Sequence, residues 1–161
     1  MALVTDIVAT YRGPGRVIGR LLAAPAHEGR ALALLMGACI LVFISQWPVL
    51  ARRAHMEEMD LQMLLGGSLL AWVFIAPLLL YALAYLAYLV TRVLGGRGDA
   101  YSVRLALFWA LLASAPLILL NGLVAGFIGP GAQLQLVGFL WVVVFAWFAI
   151  AGLRRAGWGS A

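Results

Sequence analysis

Four long apolar runs alternate with short polar stretches along this chain. They cover residues 31–50, 63–90, 105–128 and 134–153, and none carries a charge. Each is as long as or longer than the roughly 20 residues that one hydrocarbon core demands of a helix. The pattern predicts four transmembrane helices. Residues 1–30 read differently. Leu3, Val4, Ile7 and Val8 recur at helical spacing, Gly13-Pro14-Gly15 interrupts, and Arg16 and Arg20 then stand beside Val17, Ile18, Leu21 and Leu22. Arginine and leucine segregate as an interfacial helix requires. The expectation is an amphipathic arm of two short pieces lying in the interface, stopped by Pro25.

The polar stretches punctuate the runs. Residues 51–62 read as a loop, where Arg52, Arg53, His55, Glu57, Glu58 and Asp60 cluster. Residues 129–133 read as a tight uncharged turn. The most informative punctuation is the hinge between the second and third runs. Gly95 and Gly96 sit among Arg92, Arg97 and Arg104. A glycine pair turns sharply because it lacks a Cβ that would clash at positive φ. Arginine holds such a turn at a membrane surface, since its charge is costly in hydrocarbon.

Within the runs, a few residues stand out. At about 1.5 Å per residue the second run is about 42 Å long, more than a bilayer core of about 30 Å. It must tilt, or lay its first turn around Gly66 and Gly67 in the interface, and Pro77 is placed to kink it. Phe74, Tyr81, Tyr85 and Tyr88 form one stripe, read as a packing face rather than a ligand wall. The third run holds Pro116 mid-helix. Ala106, Ala110 and Ser114 repeat at four-residue spacing, and Gly122 and Gly126 form a GxxxG. Small residues at this spacing let helix backbones approach closely. Asn121 is the most polar side chain in any run and reads as a contact to a neighbouring helix or to a solute. The fourth run is aromatic, with Phe139, Trp141, Phe145, Trp147 and Phe148. Arg154 and Arg155 stop it, and residues 156–161 form a short tail with Trp158 as an interface anchor.

Composition agrees. Mean hydropathy is +1.04 and 11% of residues are charged, against about a quarter in soluble domains. The class is an all-α polytopic membrane helix bundle, and its first partner is the lipid bilayer. Net charge is +5, carried entirely by arginine. These arginines flank apolar runs and form no basic stripe, so nucleic acid is not expected as a partner. Four lie in the arm, three in the hinge and two in the tail; the 51–62 loop has two beside three acids. Positive residues favour the cytoplasmic side, which puts both termini and the hinge there. No cleavable leader is expected.

Chemistry is sparse. Cys39 is the single cysteine, so no intramolecular disulfide can form. His55 and Glu58 would share a helical face, but one histidine with scattered carboxylates is no ligand motif. Ser45, Ser68 and Ser114 have no histidine or lysine at matching depth. The expectation is no catalytic residue, no metal and no cofactor.

Leu94-Gly95-Gly96-Arg97-Gly98, a polar stretch to Arg104, a helix, then Ala115-Pro116-Leu117, with Trp141 and Gly152-Leu153-Arg154 downstream, resembles the Yip family of membrane proteins (Ypt-interacting proteins) and its bacterial relatives. The arm fits too, with Pro14, Arg16 and Leu21-Leu22 up to Pro25, so the resemblance covers residues 14–155. Family members usually have five spans, which a break at Pro116 or near Asn121 would bring closer to the four counted here. The long soluble N-terminal region of eukaryotic members is missing from these residues. The resemblance implies a non-enzymatic protein of the bacterial cytoplasmic (inner) membrane. The expected role is an interaction or organising subunit working through helix contacts, with a membrane-protein partner or a homo-oligomer. The alternative is a small-solute transporter or channel component. Gly95, Gly96, Arg97, Pro116, Gly122 and Gly126 are the structural positions, with Asn121 as the candidate contact.

Overall fold

The computed structural model describes residues 2–159, and helix accounts for nearly all of them, with no strand among them. The arm forms α1 (Ala2–Arg12) and α2 (Pro14–Ala23). Next comes α3 (Glu28–Met56). A continuous rod follows, built from α4 (Leu61–Leu69), a π-helical turn (Leu70–Ile75) and α5 (Ala76–Val93). The chain then forms α6 (Ala100–Ala113), α7 (Ala115–Phe127) and α8 (Ala132–Trp158). Three elements are long and apolar enough to cross a membrane: α3, the α4–α5 rod and α8. α6 and α7 pass that test only together, bent by 42° at their junction.

Charge ends the hydrocarbon, not the helix, and the boundaries shift accordingly. α3 starts at Glu28, whose carboxylate suits the positive end of the helix dipole. It runs on through Arg52 and Arg53 to Met56, so most of the expected 51–62 loop is helical. Arg53 Nε holds Glu57 Oε2 at 3.0 Å, one turn on. Glu58 then adopts φ 52°, and the Met59 N–H donates to Ala54 O at 3.0 Å. The Asp60 carboxylate accepts from the Gln62 N–H at 3.0 Å and starts the next helix. The acidic cluster is thus a helix stop and a helix start. The expected tail is helical as far as Trp158.

The two prolines are accommodated in different ways. Pro77 offers no N–H to Val73 O, and its ring crowds that carbonyl. The chain answers with the π turn just before it, in which the Ala76 N–H reaches back five residues to Ala71 O. Pro116 is not mid-helix. It stands in the first turn of α7, after a break at Ser114. The aromatic stripe also divides: Tyr81 packs edge-on against Phe108 at 5.1 Å, whereas Phe74 and Tyr85 are exposed.

α6 is the axle. Tyr101, Val103, Leu105, Ala106, Phe108, Trp109, Ala110, Leu112 and Ala113 are all buried, and a helix that is apolar all round belongs inside. α3, α5 and α8 surround it. The arm packs on this core: Thr10, Val17 and Ile18 are buried, and Trp109 Nε1 donates to Thr10 Oγ1 at 3.1 Å.

The hinge closes α5 and docks on α8. Gly95 has φ +87°, and the Gly96 and Gly95 N–H groups donate to Thr91 O and Arg92 O at 2.7 and 3.1 Å. This is the left-handed glycine stop that satisfies the last helical carbonyls. Gly96 is needed for space: a Cβ there would stand 2.8 Å from Thr91 O. The Arg97 and Gly98 N–H groups then donate to Gly157 O at 2.8 and 3.2 Å. Asp99 accepts from the Ser102 N–H at 3.1 Å and starts α6.

This geometry ranks the glycines. A Cβ on Gly98 would lie 1.8 Å from Ala156 O, whereas one on Gly66 meets nothing within 4 Å. Gly98→Ala should therefore cost about 1–3 kcal/mol through forced backbone shifts. Gly66→Ala should be neutral or stabilise by about 0.5–1 kcal/mol. Thermal unfolding in detergent reads both, and equal melting temperatures for the two variants would contradict the docked hinge.

Candidate functional site: helix seams, a broken helix and a lateral pocket

The small-residue seams are spent within the chain. α7 crosses α3 so closely that a Cβ on Gly122 would lie 2.0 Å from Ser45 O, and one on Gly126 would lie 2.1 Å from Pro48 Cβ. Arg52 Nη1 reaches Gly126 O at 3.4 Å and helps to close this end of α7. Ala106 meets α8 at Gly152, where an added Cβ would stand 3.1 Å from Ala106 Cβ. Ala110 and Ser114 are buried on the same helix line.

The α6–α7 break frees backbone carbonyls at buried residues, and there each must find a donor. Ser114 Oγ donates to Leu111 O at 2.9 Å. Tyr11 Oη, brought in by the arm, donates to Ala113 O at 2.8 Å. Trp141 Nε1 on α8 donates to Ser114 Oγ at 3.1 Å. Burial pushes the Tyr11 phenol up from its ordinary value, so it stays a protonated donor at neutral pH. Nothing in the order of residues joins Tyr11 to residue 113. The signal available was the proline at 116, which announces freed carbonyls without naming their donor.

Asn121 does not serve the break. Its Oδ1 is buried and accepts no hydrogen bond. It lies beside Gly138 on α8, whose added Cβ would stand 3.7 Å away. Asn121 and Gln46 both line a pocket of about 680 Å³, whose remaining walls are mostly apolar and include the π turn at Trp72 and Ile75.

Apart from Arg52 and Arg53, the arginines gather at one end. Arg104 pairs with Glu28, which ties the start of α6 to the start of α3. Arg20 pairs with Asp6 between the arm helices. The Arg155 guanidinium lies within 3.6–3.7 Å of where a Cβ on Gly15 or Gly19 would stand. Arm, hinge and last helical turn therefore meet. Arg12, Arg16, Arg20, Arg92, Arg97, Arg154 and Arg155 are all exposed there. Arg12, Arg16 and Arg20 line a groove of about 490 Å³ between α1 and α2. Among the described residues, no three of His, Cys, Asp and Glu group as a metal site.

The long apolar helices and their exposed aliphatic faces define a helical membrane protein. No family model, curated protein or solved structure matches this chain.

Two expectations follow. Tyr11→Phe removes the donor to Ala113 O and should cost about 1–3 kcal/mol, the penalty of an orphaned buried carbonyl. Tyr85→Phe, at an exposed phenol, should leave the melting temperature unchanged. Gly122→Leu and Gly126→Leu should each push α7 off α3 and abolish the folded monomer in detergent. A fully stable, monodisperse Gly122→Leu protein would show that this seam is not closed within the chain.

Proposed function

We propose that this protein is a non-enzymatic membrane subunit that organises partner membrane proteins, or further copies of itself, through helix contacts. The observation that carries the reading is the convergence of arm, hinge and last helical turn into one arginine-surfaced end. Such an end fixes the bundle against an anionic membrane face, where each nearby arginine contributes about 1 kcal/mol. In this reading α6 and α7 form one broken span, so that four spans leave all three segments on one side, and the arginine excess favours the cytoplasmic side of a bacterial inner membrane for them. Kinship with the Yip family, proposed on the Gly95-Gly96 hinge and the Ala115-Pro116 break, is in keeping with this role.

The GxxxG is occupied by α3, so partner contact falls to the outward faces. On α8 these carry Leu136, Phe139 and Val143, and on the rod Phe74 and Leu78, all exposed. Photo-crosslinking residues at Phe139, Val143, Phe74 and Leu78 should capture a discrete protein species in native membranes. Products with lipid alone at all four positions would refute the interaction role.

Orientation has its own check. In a Cys39→Ala background, Arg97→Cys should resist an impermeant thiol reagent on intact cells, whereas Met56→Cys should react. The reverse pattern would invert the topology.

A further inference from the structure

The groove between α1 and α2 gathers positive charge that the fold leaves uncompensated. Arg12, Arg16 and Arg20 line it, and its volume is about 490 Å³. Arg12 closes α1, and Gly13 forms the turn into α2. The Arg16 guanidinium folds back over that turn: a Cβ on Gly13 would stand 3.4 Å from its Nε and from its Nη2. Arg12 and Arg16 thus flank one corner of the groove. Asp6 holds Arg20. Among the described residues, Arg12 and Arg16 make no ion pair. Gly15 and Gly19 admit a further cation, since the Arg155 guanidinium lies against them. Like charges at four-residue spacing, as at Arg16 and Arg20, work against a helix. A cleft lined by one sign of charge also concentrates counter-ions. The arrangement disfavours the empty fold and suits an anion.

We propose that this groove holds the headgroup of a membrane lipid that ends in a phosphate monoester. Two free guanidinia match a dianion, and a phosphate monoester carries about −1.5 to −2 at neutral pH. The phosphodiester of an ordinary glycerophospholipid carries only a single charge. Guanidinium presents paired N–H donors that fit phosphate oxygens. The lipid source follows from the other wall. Val8 lines the groove and is 54% exposed, and Val4, one turn earlier on α1, is 59% exposed. This apolar edge takes the glycerol and the first methylenes of the chains, which a free phosphate lacks. The inference rests on the arginine-surfaced end facing the membrane, as proposed above, and not on any protein partner.

The purified full chain in detergent is titrated with dioctanoyl phosphatidic acid, a monoester, and with dioctanoyl phosphatidylglycerol, a diester. Glycerol 3-phosphate stands for the soluble source. Thermal unfolding reads binding, because a ligand of the folded state raises the melting temperature. The monoester lipid should act saturably, half-maximally at a concentration about tenfold below the diester's, the scale of one further charge-assisted hydrogen bond. Glycerol 3-phosphate should have no effect over the same range. Arg12→Gln combined with Arg16→Gln should bring the monoester to the diester's level. Arg92→Gln combined with Arg154→Gln removes exposed arginines of the same end outside the groove and should keep the preference. A preference of about twofold or less in the unmodified protein is what charge alone gives. It would overturn the groove site and leave the general attraction of that end standing. A preference that survives Arg12→Gln with Arg16→Gln, or is lost equally in the control pair, would overturn it too. An equal effect of glycerol 3-phosphate would overturn the lipid source. Silence from both lipids would strike the proposal together with the membrane role of the arginine end. The comparison on unmodified protein decides by itself should a variant fail to fold.

Discussion

A helix broken in the buried centre of a bundle must have its backbone satisfied, and the rest of this fold depends on how that is done. The proline at 116 removes one donor and frees the carbonyls before it. Ala113, Ser114 and Ala115 are buried, so water does not supply the missing donors there. Ser114 turns its hydroxyl back on Leu111 O, Tyr11 reaches Ala113 O from the arm, and Trp141 secures the serine from α8. Three segments distant in sequence are pinned to one point. The break therefore joins the arm and the last helix to the central one, and the bundle's layout follows from it.

The same logic governs the ends. Gly157 O, near the C-terminal end of α8, accepts from the Arg97 and Gly98 N–H groups of the hinge. Gly126 O, near the end of α7, takes the Arg52 guanidinium. Side chains at these ends also hold α6 in place: Asp99 starts it, and Arg104 ties it to Glu28. Helix ends are thus closed by neighbouring segments, which lets short connections be tight. Close approach then becomes possible where glycine or alanine stands, as at Gly122, Gly98 and Gly152.

Hydropathy located the apolar runs because their length is set by the hydrocarbon. It misplaced their ends because arginine and glutamate are good helix residues. Hence the helical turn at Arg52 and Arg53 looked like loop, and the last turn to Trp158 looked like tail. The hinge was legible, since Gly95 needs positive φ. The greater constraint at Gly98 was not, because it comes from Ala156, far along the chain. Gly122 and Gly126 announced a seam, but which helix would fill it depended on the bend at Ser114. Asn121 was visible as an oddity. Its isolation from the freed carbonyls was not, because Tyr11 had already taken that role.

The central position of α6 has a consequence for biogenesis. Synthesis from the N-terminal side delivers the arm and α3 before the axle, and the wall formed by α8 only after it. Until α8 appears, Ser114 lacks the indole of Trp141, and the hinge N–H groups of Arg97 and Gly98 have no carbonyl to meet. Closure of these contacts therefore waits for α8. Before α8 arrives the bundle is an open cradle around a half-covered, broken helix, and insertion of α8 is the event that locks it.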